Sequence, residues 1–146
     1  MCAETSAKTF SAILNKGDDC IVTVVSLSNN DVKTSIEAKW DTGAFMSCVP
    51  AKVVKELSLI PTGSRITHGT FGNDEAVFIY DVDLTIPSGY TFKNLKVIGL
   101  PKDNPTDYML IGMDVISQGD FLFSGHGNGI FSFRVPSIKS LSFNLI

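Results

Sequence analysis

The string whose residue types and setting suit chemistry is Asp41-Thr42-Gly43-Ala44, which directly follows the large apolar Trp40. Asp41 is a carboxyl, a group that gives or takes a proton. At the end of a predicted strand it is costly to bury alone, so its place there calls for a use. Its neighbours suit a loop that pairs with another loop. Gly43 permits close backbone approach and unusual dihedrals, Thr42 supplies a hydroxyl that can lock one loop against another, and Ala44 leaves space beside the carboxyl. A second string, Leu110-Ile111-Gly112, ends a strand roughly seventy positions later. A glycine there lets another backbone, or the acid-bearing loop, come close. A third piece, Arg65 to Tyr80, reads as a hairpin with Gly69 and Gly72 near its tip. A hairpin of that kind can act as a lid that covers substrate and excludes water.

Each of these residues also has a plainer reading. Asp-Thr-Gly is good turn chemistry, so Asp41 could be a turn residue. Asp114 is the nearest rival acid and reads as the N-cap of a short helical turn over 114–118. Cys48 and His68 invite a thiol–imidazole pair, but no third group is indicated to orient it. His68 and His126 lie in glycine-flanked turns and read as solvated rather than as ligands.

The elements that must position these residues are mostly strands. CIVTVVSLS (20–28) is β-branched and apolar, Ser28 to Asp31 is turn chemistry, and VKTSIEAKW (32–40) reads as the returning strand that runs into Asp41. VPAKVVKELSL (49–59) is the one helix signal, with Pro50 suited to its first turn and Pro61 and Gly63 ending it. Strands follow over 64–82 (two, around a Gly-containing turn), 90–100 and 108–113, then a hairpin over 120–135 with GHGNG as its turn. Phe121, Phe123, Phe131 and Phe133 alternate along that hairpin and read as core. Residues 1–19 look like a lead-in segment before a single domain over 20–146, and 137–146 is an apolar, strand-like tail.

Composition excludes several functions. The 146 residues are 44% hydrophobic and 18% charged, which supports a packed core in one domain. A net charge of −3 argues against nucleic acid as a partner. Two histidines and three cysteines are few for a metal site, and neither metal nor cofactor is expected. Cys2, Cys20 and Cys48 contain no CxxC pair and read as reduced thiols. No basic region precedes a long apolar run at the N-terminus, and no stretch approaches the ~20 apolar residues that span a bilayer. A soluble cytoplasmic protein with no membrane partner is the expectation.

Taken together, Asp-Thr-Gly-Ala, a flap-like hairpin and apolar-apolar-Gly before a short helix resemble the retropepsin-like aspartic proteases, the single-domain relatives of pepsin. The strings AKWDTGAFMS and YMLIGMDVISQGDF are most similar to the bacterial cytosolic group, and the likeness runs over roughly residues 20–135. The resemblance implies a mainly β, closed-barrel acid protease fold with one short helix. It implies an aspartic endopeptidase that hydrolyses peptide bonds with a water nucleophile, working as a homodimer because the chain has a single Asp-Thr-Gly. By the same resemblance Asp41 of each subunit is catalytic, Thr42 braces the two loops, and Gly43 contacts substrate backbone. Leu110 and Ile111 pack beneath the loop, and His68, Gly69, Thr70 and Phe71 close over an extended polypeptide. Two departures stand out. Phe45 and Met46 occupy places where retroviral members carry acidic residues, and Met113 stands where they carry arginine, so an ion pair between those sites is absent. With a long segment before residue 20, the tail 137–146 becomes the candidate for the dimer contact. A catalytically silent peptide-binding or dimerisation module with the same fold, and a structural assembly domain, are the competing readings.

Overall fold

A computed structural model describes residues 6–15, 17–68, 74–125 and 128–137. Its backbone is almost entirely strand. β2 (Ile21–Asn29) and β3 (Val32–Trp40) form the expected hairpin, paired from Ile21↔Trp40 to Asn29↔Val32. Asn30 makes the tight turn at φ 52°, a left-handed conformation that Asn tolerates better than most residues. Alternation decides which way side chains face: Val25, Leu27, Ile36 and Ala38 are buried while Val24 is exposed.

Five further strands extend this hairpin: β4 (Cys48–Val49), β5 (Gly63–His68), β6 (Asp74–Thr85), β7 (Thr91–Gly99) and β8 (Met109–Ile111). They assemble in the order β2-β3-β8-β4-β7-β6-β5, and β6 also pairs with β2. Six strands therefore close on themselves as a barrel, and β5 hangs from the outer side of β6 as half of a hairpin. This is the closed, mainly β architecture anticipated from the sequence.

A second sheet caps the barrel. β1 (Lys8–Ile13), β10 (Ile130–Val135) and β9 (Asp120–Ser124) lie in the order β1-β10-β9. Residues 8–13, read from the sequence as part of a lead-in, are thus a full strand, paired from Lys8↔Val135 to Ile13↔Ile130. Its partner lies more than a hundred residues away, beyond any local signal. Trp40 packs beneath this sheet against Phe10, Phe121, Phe131 and Phe133, with ring centroids 4.9–6.4 Å apart. Its indole N–H donates to Thr23 Oγ1 at 2.9 Å, so the buried ring keeps its polar edge satisfied. Phe131 and Phe133 are fully buried as expected, whereas Phe123, on the edge strand, is 54% exposed.

The helices are shorter than the pattern suggested. α1 spans Ala51–Glu56, because Cys48 and Val49 are taken into β4 and Ser58 turns the chain at φ 50°. Pro50 is its N-cap rather than part of its first turn. α2 spans Met113–Ile116 with Gly112 as N-cap. Asp114, expected as that cap, lies inside the first turn and is used otherwise, as described below. Among the described residues no helix is long and apolar enough to cross a membrane.

Candidate active site

β8 lies parallel to β3 with Ile111 opposite Trp40, and the Asp41 N–H donates to the Ile111 carbonyl at 2.9 Å. Asp41 is therefore launched from the ends of two parallel strands, one carrying the acid and the other the apolar-apolar-Gly string. The loop then folds back: Ala44 N–H donates to the Asp41 carbonyl at 3.2 Å, and Gly43 N–H donates to Asp41 Oδ1 at 2.8 Å. That bond orients the carboxyl. Asp41 is half-buried, while Thr42 and Gly43 are exposed. Ile111 is fully buried beneath the loop and Leu110 partly so.

Gly112 explains its own identity. A Cβ there would stand 2.7 Å from the Ala44 carbonyl oxygen and 2.9 Å from the Met46 carbonyl carbon, both backbone atoms of the acid loop. In the next residue the Met113 N–H donates to that same Ala44 oxygen at 2.8 Å. We expect Gly112→Ala to lower stability by about 1–3 kcal/mol, because overpacking against backbone is relieved only by moving the loop; thermal denaturation followed by circular dichroism checks this.

Two residues that the sequence reading did not assign to the site hold its base. Ser47 is fully buried. Its N–H donates to Asp114 Oδ2 at 3.0 Å and its hydroxyl donates to Asp114 Oδ1 at 2.8 Å. The same hydroxyl oxygen accepts the Gly112 N–H at 3.1 Å. Asp114 thus pins the far end of the acid loop to the start of α2 instead of capping the helix. Ser47 stands six positions after Asp41, and the pairing of β8 with both β3 and β4 brings it to Asp114; no spacing rule in the sequence announces it.

The flap hairpin is β5 with β6. Near its tip His68 Nδ1 lies 2.6 Å from Asp74 Oδ1, directly across the strand pair, and both side chains are exposed. Gly69, Thr70 and Phe71 lie outside the described residues. Arg65, on β5, stacks its guanidinium 5.2 Å from the Phe45 ring centroid and places Nη1 3.4 Å from Met46 Sδ. The two positions at which this chain departs from the acidic pattern are thus where the flap strand touches the acid loop.

The surroundings of Cys48 disfavour its thiolate. Burial, followed by the negative charges of Asp114 and Asp41, pushes its thiol up to about 11 from an ordinary 9.0, and the thiol faces the Met46 carbonyl at 3.5 Å. His68, engaged with Asp74, is not its partner. The sign for stability follows from the raised folded value. Below about pH 9 both folded and unfolded chains keep the proton. Between about 9 and about 11 the unfolded chain gives it up first, so this contribution to stability is lost as pH rises through that window. We expect Cys48→Ala to flatten the alkaline limb of a stability–pH curve measured by urea denaturation.

A cavity of about 650 Å³ opens beside Asp41 and Thr42, walled by Lys39, Tyr108, Leu110 and Phe123 among others. Lys39 Nζ sits 3.9 Å over the Tyr108 ring. Among the described residues, the Gly43 N–H is the one hydrogen-bond partner of the Asp41 carboxyl. The single chain presents one oriented acid and leaves open space next to it.

This closed barrel with one strand-end acid and a flap is the fold of the retropepsin-like aspartic proteases. The family profile described as Aspartyl protease matches residues 24–115, and the chain belongs to that family. Among solved structures it is similar to a retropepsin-like aspartic protease from Rickettsia conorii, with a TM-score of 0.60 and 19% identity over 91% of this chain and 97% of that one. It is also similar to the EIAV protease complexed with the inhibitor HBY-793, with a TM-score of 0.47 and 20% identity over 72% of this chain and 92% of that one. A foamy viral protease-reverse transcriptase in complex with an RNA/DNA hybrid aligns with a TM-score of 0.45 and 21% identity, over 66% of this chain and 12% of that one. No curated protein sequence matches.

Proposed function

We propose that this chain is an aspartic endopeptidase whose active site is completed by a second copy of itself. The observation that carries the reading is Asp41: a carboxyl oriented by the Gly43 N–H, half-buried, at the mouth of an open cavity. A two-fold axis passing beside it makes an isologous contact and supplies the second acid. Two carboxyls held a few ångströms apart cannot both ionise, so such a pair carries one proton, as in aspartic proteases generally. It titrates as a unit. The ionised member takes a proton from the water between them, that water attacks the peptide carbonyl, and the protonated member donates to the carbonyl oxygen.

Thr42, exposed at the loop tip, braces the two loops across the axis. Gly43 contacts substrate backbone. Leu110, Ile111 and Gly112 hold the loop from beneath, with Ala44 accepting the Met113 N–H. The substrate is an extended polypeptide over which His68, Gly69, Thr70 and Phe71 close, partly by strand addition. Phe45, 71% exposed on the acid loop, favours hydrophobic side chains near the scissile bond. Free thiols at Cys20 and Cys48 suit a reducing, cytoplasmic compartment.

A mixing experiment tests the shared site. When equal amounts of wild-type and Asp41→Asn chains are unfolded and refolded together, random pairing leaves about a quarter of the dimers with two acids. Peptidase activity per total chain should then fall to about 25% of wild type rather than to about 50%. Half-activity means that each subunit works alone and removes the shared-site reading. Binding of a statine-type transition-state mimic without turnover of any peptide gives the silent module instead.

A further inference from the structure

A second cavity, of about 640 Å³, lies between α1, β6 and the segment 99–102, and it shares no lining residue with the cavity beside Asp41. Its size falls in the range of ligand sites. The floor is built: Tyr80 is buried against Gly99, where a Cβ would stand 2.5 Å from the ring. The wall is apolar, with Val54, Pro101 and a Phe78 that is 56% exposed. Lys52, Lys55 and Lys102 also line it, and no Asp or Glu does. Two lysines on β7 are paired with β6 carboxylates, Lys93 with Asp83 at 2.8 Å and Lys96 with Asp81 at 3.0 Å. Among the described residues the side-chain ammonium groups of Lys52, Lys55 and Lys102 make no ion pair or hydrogen bond.

We propose that this groove is a docking site for an acidic polypeptide segment bearing an apolar anchor. Three unpaired ammonium groups around an apolar floor match carboxylates that flank an aromatic or aliphatic side chain. A neutral peptide leaves the lysines unmatched. A nucleic acid leaves the floor unmatched and meets a chain of net charge −3. The groove opens to solvent along Phe78 and the lysines, which suits a segment lying across it. Because β6 also forms the flap hairpin, a docked segment rests against the flap's own strand. Binding here needs no cleavage, so the proposal stands apart from the peptidase reading.

The probe is a fluorescein-labelled peptide of about ten residues, Leu-Phe at its centre and Asp or Glu on both sides, titrated by anisotropy with the full-length Asp41→Asn chain. Saturable binding is expected, weakening steeply between low and moderate salt. The triple change Lys52→Glu, Lys55→Glu, Lys102→Glu should weaken it at least about tenfold, while the three Lys→Arg changes retain it. Phe78→Ser, at a side chain already more than half exposed, should weaken it several-fold and provides the readout should the triple variant misfold. The proposal is overturned by any of four results: no binding, equal affinity for the Asn/Gln version of the peptide, unchanged affinity in the glutamate and Phe78→Ser variants (a peptide held only in the catalytic cleft), or equal competition by a short single-stranded oligonucleotide.

Discussion

Asp41→Asn should reduce peptide hydrolysis by a factor of roughly 10³ or more while leaving the fold intact. At the proposed two-fold site the loss is large because the substitution acts twice: both general-acid and general-base roles go when neither carboxyl remains. The fold survives because the carboxyl is half-buried and its hydrogen bond from Gly43 N–H to Oδ1 is kept by the asparagine oxygen. The measurements are initial rates on a fluorogenic peptide library and the thermal midpoint of the same preparation. Undiminished cleavage by the asparagine protein would sink the catalytic assignment. Cleavage lost together with a lowered midpoint would show that the carboxylate has a structural duty as well.

Asp114→Ala should cost about 3 kcal/mol of stability and most of the activity. The estimate comes from the bonds removed. Asp114 accepts from the buried Ser47 N–H and hydroxyl, and from the Val115 N–H. Bonds to a charged acceptor contribute about 1.5–3 kcal/mol each, and a buried donor left unpaired costs about 1–3 kcal/mol, with partial recovery by solvent. Asp114→Asn, which keeps one acceptor oxygen, should cost about 1 kcal/mol. Ser47→Ala strands the Gly112 N–H instead. Because the two residues share bonds, their effects should be less than additive, and a double-mutant cycle from urea denaturation measures the coupling. As a positioning residue Asp114 should act mainly on kcat. Its asparagine variant should recover much of the rate lost by alanine without a shift in the pH profile; a shifted profile would place Asp114 in the chemistry.

How much was legible depended on the range of the interaction. The β2–β3 and β9–β10 hairpins could be read because alternation and turn residues sit within ten or so positions of each other. The family could be read because Asp-Thr-Gly-Ala and Leu-Ile-Gly are local strings with a set spacing. β1 was taken for a lead-in because Lys8–Ile13 becomes a strand only by pairing with β10, at the other end of the chain. The helix over 49–59 shrank because its first residues are claimed by β4, which pairs with β7 and β8. Asp114 was read as a helix cap for the same reason: a cap is a local expectation, and its actual partner, Ser47, is 67 residues away.

By itself the chain order of residues determined which segments extend, where they turn, and which acid stands at a strand end. Those properties come from backbone sterics and from apolar periodicity, which act over a few residues. The closure of six strands into a barrel, the pin from Ser47 to Asp114, the stacking of Arg65 on Phe45 and the gathering of three lysines around one apolar floor were decided by tertiary structure. Each joins parts of the chain that local sequence says nothing about pairing, and each forms only when burial of the shared core brings those parts together.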